Sequence, residues 1–184
     1  MNRTDTALPG VCVLEPKVLA DSRGNFFEAY RKDVFESLGI RTTFVQDNQS
    51  FSRKGVLRGL HYQLGRPQAK LIRVLVGETF DVAVDVRRGS PTFGRWAGEL
   101  LSAENQRMLF VPEGFAHGFY VVSDTAVVAY KASDYFAPAE ERGLRWDSPE
   151  VQVAWPLQGS PILGARDAAY PTLSQLPETD LPVY

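Results

Sequence analysis

The sequence holds one cysteine, two histidines and two methionines in 184 residues. With Cys12 alone, no intrachain disulfide can form, which fits a reducing compartment. Two histidines, His61 and His117, cannot build a histidine-rich metal centre, although carboxylates can substitute as ligands. An excess of charge of one sign is also missing. Twenty Lys and Arg face 22 Asp and Glu, a net charge of −2. That balance speaks against a general nucleic-acid-binding surface and leaves room only for local basic clusters that hold a phosphorylated small molecule. No apolar run approaches the length of a membrane span, and "MNRTDTALPG" has no apolar signal core. The expectation is a cytoplasmic protein with no nucleic-acid or membrane partner.

What is present is ordinary globular composition, 44% apolar and 23% charged. Without repeat, low-complexity segment or linker, it predicts one domain over 1–184. Strand signals dominate. "LIRVLVG" (71–77) and "TFDVAVDVRRG" (79–89) flank Gly77-Glu78, which reads as a hairpin connection. In the second, Phe80, Val82, Val84 and Val86 alternate with Asp81, Ala83, Asp85 and Arg87, placing two carboxylates opposite the valine row. Segments 94–101, 107–112, 117–123 and 125–133 continue the series. Many short strands at this spacing mean a β-sandwich or barrel. Helix is scarce: "RKDVFESLG" (31–39) ends on Gly39, and a turn of helix is expected at "SAENQ" (102–106). The Pro- and Gly-rich tail from Trp155 is expected to wrap the barrel.

Two stretches carry chemistry. "GVLRGLHYQ" (55–63) holds Arg58 and His61 three positions apart, and "VPEGFAHGF" (111–119) spaces Pro112, Gly114 and His117 as P-x-G-x-x-H. Pro and Gly shape a tight turn from which the histidine enters the next strand in a fixed direction. This resembles the second motif of the cupin superfamily, small antiparallel barrels with an internal site. Where metal-binding cupins carry His-x-His, this chain reads His61-Tyr62-Gln63. The residues therefore favour a barrel without metal or cofactor, whose histidine does proton chemistry.

"DSRGNFFEAY" (21–30), "QDNQSFSRKGVLRGLHYQ" (46–63), "QAKLIRVLVGETFDVAVDVRRGSPTFG" (68–94), "LSAENQRMLFVPEGFAHGF" (101–119), "AYKASDYFAPAEERGLRWDSP" (129–149) and "PILGARD" (161–167) together resemble the dTDP-4-dehydrorhamnose 3,5-epimerase family. The resemblance implies an all-β, cupin-type antiparallel jelly-roll barrel with a few short helices, and a homodimer without metal. It implies an isomerase that inverts C3 and C5 of dTDP-4-dehydro-6-deoxy-D-glucose on the way to L-rhamnose. By resemblance His61 is the base, Asp167 its partner and Tyr130 the acid on the opposite face, with Lys70 and His117 near the keto oxygen. Histidine, with an ordinary pKa of about 6.5, suits a base near neutrality. For the nucleotide, Arg58 matches phosphate oxygens in bidentate fashion. The resemblance adds Gln46, Asn48 and Phe136 at the ligand, and a segment exchanged between subunits that contains Arg23, Phe26 and Glu28.

Taken without the family, Asp167 reads as a loop carboxylate, Lys70 as an exposed strand end, Tyr130 as a packed core tyrosine and Arg58 as a surface charge. The chain departs from the family at Tyr135-Phe136, where two tyrosines are frequent, at Gln49 for histidine and at Arg166 for lysine. None of these is the base, its partner or the acid. Rival readings are an epimerase inverting only C3 or only C5 in a specialised deoxysugar pathway, a catalytically silent sugar-binding cupin, and a metal-dependent cupin oxygenase, which the histidine count opposes.

Overall fold

The computed structural model describes residues 1–184. In chain order the elements are β1 (Asn2–Asp5), β2 (Cys12–Glu15), β3 (Leu19–Asp21), β4 (Gly24–Phe26), α1 (Lys32–Ser37), β5 (Gln46–Arg53), β6 (Val56–Gln63), β7 (Lys70–Val76), β8 (Glu78–Asp85), β9 (Trp96–Ser102), β10 (Met108–Val111), β11 (Phe115–Val121), β12 (Thr125–Ala132), β13 (Glu141–Gly143), β14 (Ile162–Leu163) and α2 (Ala165–Ala169). Two main sheets run β1-β2-β10-β7-β12-β5 and β13-β6-β11-β8-β9, with β14 added parallel to β6; every other pairing between these strands is antiparallel. No helix is long and apolar enough to cross a membrane.

The alternation on β8 positions everything else. Val82, Val84 and Val86 are buried against Leu60, Tyr62 and Leu144, and against Leu173, Leu176 and Leu181 of the tail. The tail therefore wraps the outer face of the second sheet. On the inner face, Ala83 joins Ile72, Leu109, Phe119 and Val128 in the core between the sheets. Asp81 and Asp85 share that inner alternation and are fully buried. The outer face of the first sheet is partly covered by the segment around α1. Phe35 and Ile40 pack there on Leu14, Leu71, Met108 and Phe110, and Gly39 (φ 83°) follows the helix.

Two expectations are corrected. β7 and β8 do not form a hairpin: β7 lies between β10 and β12, β8 between β11 and β9, in different sheets. Gly77 (φ 78°) is the corner between them, and a Cβ there would meet the Thr125 carbonyl oxygen at 2.0 Å. A left-handed glycine serves a sheet-to-sheet corner as well as a hairpin, so the local signal could not tell them apart. At 102–106 there is a turn rather than helix. Asn105 Oδ1 accepts from the N–H groups of Ser102 and Arg107, and Gln106 sits at φ 56°. The side chain thus competes for the backbone donors.

One irregularity sets the site. Along β6–β11, His61 pairs with His117 but Arg58 pairs with Phe119, so three steps on β6 match two on β11. The extra residue is a β-bulge, which re-aims side chains. Residues three apart on a regular strand face opposite sides, but here Arg58 and His61 reach the same cavity. Gly59 and Gly118 permit it: a Cβ on Gly118 would lie 2.5 Å from the Arg58 carbonyl oxygen.

Candidate active site

Between the sheets lies a cavity of about 350 Å³, within the range of small-molecule sites. One wall is polar for a local reason. β5 alternates along QDNQSFSR, turning Gln46, Asn48 and Ser50 into the cavity while Asp47 and Phe51 face outward. The facing wall comes from β6 and β11 of the other sheet, and β7 and β12 supply Lys70 and Tyr130.

His61 donates its Nε2–H to Asp167 Oδ1 at 2.6 Å, leaving Nδ1 as the basic nitrogen. Asp167 is buried although it belongs to a five-residue helix near the chain's end. Parallel pairing of β14 with β6, Ile162 opposite Val56 and Leu163 opposite Leu57, delivers that helix to His61. His117, across the strand pair from His61, donates Nε2–H to Asp81 Oδ1 at 2.8 Å, and Asp81 Oδ2 accepts from Thr79 Oγ1 at 2.5 Å. Burial lowers the His117 pKa below its ordinary value, opposed by Asp81. A neutral His117 then keeps only Nδ1 free, which is an acceptor.

Lys70 is buried, its Nζ 3.4 Å from the His61 carbonyl oxygen. Desolvation brings its pKa down to about 8, with Glu141 pulling the other way. Tyr130, half-buried on β12, is raised above the usual phenol value by burial and then by Glu141, with Arg58 opposing. It therefore stays protonated at neutral pH and can act as an acid. Arg58 has no carboxylate partner; its Nε donates to Ser52 Oγ at 2.9 Å and Nη2 to the Phe51 carbonyl at 3.3 Å. Gln46 Nε2 donates to Asn48 Oδ1, and Gln46 Oε1 accepts from the Phe136 N–H, both at 2.9 Å. Those bonds leave the Asn48 NH₂ free for a ligand.

Of the residues singled out from sequence, Gln46, Asn48, Arg58, His61, Lys70, His117, Tyr130 and Phe136 line this cavity, and Asp167 binds His61 from behind. Arg23, Phe26 and Glu28 do not. Arg23 and Phe26 flank the β3–β4 hairpin's own shallow surface, where Phe26 is 70% exposed. Arg23 pairs with Asp21, and Glu28 with Arg31. Sequence reasoning missed Ser50, Gln68 and Glu141 in the lining. Glu141 pairs with Arg166 beside Asp167. No local pattern marks these three. Asp81 was legible as a carboxylate opposite the valine row but not as the buried partner of His117. No group of three or more His, Cys, Asp or Glu side chains is arranged to hold a metal ion.

The family model for dTDP-4-dehydrorhamnose 3,5-epimerase matches residues 5–175. The chain belongs to the dTDP-4-dehydrorhamnose 3,5-epimerase family. It is 54% identical over 168 residues to the dTDP-4-dehydrorhamnose 3,5-epimerase of Pseudomonas aeruginosa, covering 91% of this chain and 93% of that one. The enzyme of the same name from Salmonella typhimurium is 54% identical over 172 residues, 92% and 94% of the two chains. Among solved structures, the dTDP-6-deoxy-D-glucose-3,5-epimerase RmlC of Legionella pneumophila, in complex with dTDP-4-keto-L-rhamnose, superposes with a TM-score of 0.97. It is 48% identical and covers 100% of this chain and 98% of that one. The fold is the family's cupin-type antiparallel barrel.

Proposed function

We propose that the protein epimerises C3 and C5 of dTDP-4-dehydro-6-deoxy-D-glucose, yielding dTDP-4-dehydro-L-rhamnose. The observation that carries the reading is one cavity with His61, held by Asp167 of α2, on one sheet and Tyr130 on the other. Epimerisation beside a ketone needs a base on one face of the sugar and an acid on the other.

The 4-keto group acidifies the protons at C3 and C5. His61 Nδ1 takes one of them, and the C–H electron pair moves into an enolate whose charge rests on the keto oxygen. Asp167 stabilises the imidazolium through the Nε2–H bond. Tyr130 then gives its phenolic proton to the opposite face of that carbon, the enolate collapses to the ketone, and solvent exchange resets both groups. The sequence repeats at the second carbon. For the enolate oxygen we assign Lys70 as donor in preference to His117, because a neutral His117 with Nε2–H on Asp81 has no second N–H to offer. One such preorganised donor is worth about 3 kcal/mol in the transition state. Arg58, free of any carboxylate, takes the diphosphate, and the Asn48 amide and Phe136 ring take the remainder of the ligand.

The protein acts as a homodimer in which the β3–β4 hairpin completes the partner's site. The six residues of its two strands are all exposed, with Leu19 and Phe26 the large apolar ones among them. Incubating the enzyme with substrate in deuterated water, with a coupled reductase trapping the product, tests the reaction by NMR. Deuterium at both C3 and C5 with inverted configuration is the expected result. Label at one carbon only would show a single-carbon epimerase, and none would leave a binding protein.

A further inference from the structure

Gly143 lies on the sheet's edge strand β13 and is the cross-strand partner of His61. Its missing side chain leaves a space, and the Tyr170 ring fills it. A Cβ at Gly143 would come within 2.3 to 2.4 Å of three atoms of that ring. An aromatic ring seated on an edge-strand glycine covers the backbone gap and stands where a neighbouring side chain would. Here it stands against the base: the ring centroids of Tyr170 and His61 are 5.6 Å apart at 71°, an edge-to-face arrangement.

Tyr170 follows α2 three residues after Asp167. One short stretch of chain therefore holds the His61 imidazole twice, by the Asp167 hydrogen bond at Nε2 and by the Tyr170 ring. A hydrogen bond at one nitrogen leaves the imidazole free to swing about that contact; a packed ring restricts the swing. The Tyr170 hydroxyl makes no hydrogen bond to His61 or Asp167, so the ring and not the phenol oxygen makes the contact with the base.

We propose that Tyr170, seated on Gly143, is a positioning residue that fixes the orientation of the His61 imidazole together with Asp167. The proposal rests on reading His61 as the base. Small displacements of a catalytic group cost rate steeply, up to about 100-fold for 1 Å.

The test uses Tyr170→Leu, Tyr170→Phe and Gly143→Ala in the full chain, with kcat, KM and the imidazole proton resonances of the free protein measured together. With two histidines in the sequence, the spectrum is assignable from His61→Asn alone. Tyr170→Leu should lower kcat about tenfold with KM nearly unchanged, and shift the His61 resonances but not those of His117. Tyr170→Phe should restore both readouts. Gly143→Ala, which pushes the ring away without altering it, should reproduce the leucine phenotype, and the two changes combined should be no worse than either alone. Wild-type kcat and unmoved His61 resonances in Tyr170→Leu would overturn the proposal, as would a rise in KM at constant kcat. If Tyr170→Leu melts below assay temperature, Gly143→Ala with Tyr170→Phe decides the matter through the same readouts. Full activity in His61→Asn would instead sink the base assignment, and the resonance shift would still report the Tyr170 contact.

Discussion

Lys70 has a buried ammonium at the head of β7, and loss of solvation brings its pKa down to about 8. The sign follows directly. If Lys70 is the donor to the enolate oxygen, the protonated form serves below that pH and its charge is lost above it, so kcat should decline as pH rises through about 8. Lys70→Arg keeps its charge to far higher pH. Its maximal rate should be lower, because a guanidinium does not fit the ammonium's place, but the decline near pH 8 should vanish from a kcat profile run from about pH 6 to about 10. The same decline in the arginine variant would assign it to another group. His61, Lys70 and Tyr130 were legible at this scale because their segments resemble the family in register. The partnership of His61 with Asp167 was legible only through the family, since 106 residues separate them and "ARDAAYP" alone reads as a turn. Glu141 had no signal: a carboxylate in "AEERGLRW" looks like any surface charge until β13 pairs with β6.

At the scale of elements, alternation on β8 was readable because one face is a valine row. The inward-facing row of β5 is Gln46, Asn48, Ser50 and Ser52, so apolar periodicity could not reveal it as a strand. A polar row turned toward a barrel interior is what a ligand site requires, and it conceals the element from pattern reading. The bulge on β6 was equally hidden, because Arg58 and His61 three apart imply opposite faces until Gly59 and Gly118 are seen to cross. Gly118→Ala tests that crossing. Its Cβ would press on the Arg58 carbonyl oxygen and the Gly59 backbone, neither of which is a flexible side-chain end. Overpacking of this kind costs about 1–3 kcal/mol, measurable as a lower urea midpoint. Turnover should fall as well, since Arg58 and His61 lose their common direction. An unchanged midpoint with full turnover would show that the bulge does not depend on these glycines.

For the whole molecule, the exposed hairpin sets the expectation. Arg23 pairs only with Asp21 and its side chain is 88% exposed, far from any role within its own chain. If it enters the partner's cavity, an Arg23→Ala subunit mixed with a His61→Ala subunit should regain activity, because a hybrid dimer can contain one intact site. No recovery after subunit exchange, or a monomer by light scattering, would contradict this. The account as a whole turns on proton traffic across the sugar between the two sheets. Deuterium incorporation at C3 and C5 by His61→Asn, run beside Tyr130→Phe, examines that traffic most directly. The account predicts that His61→Asn loses exchange at both carbons by about 10²- to 10⁴-fold, the usual worth of a general base. Tyr130→Phe should keep some exchange but lose inversion, because His61 can return a proton only to the face it came from. Undiminished exchange in His61→Asn would contradict the account.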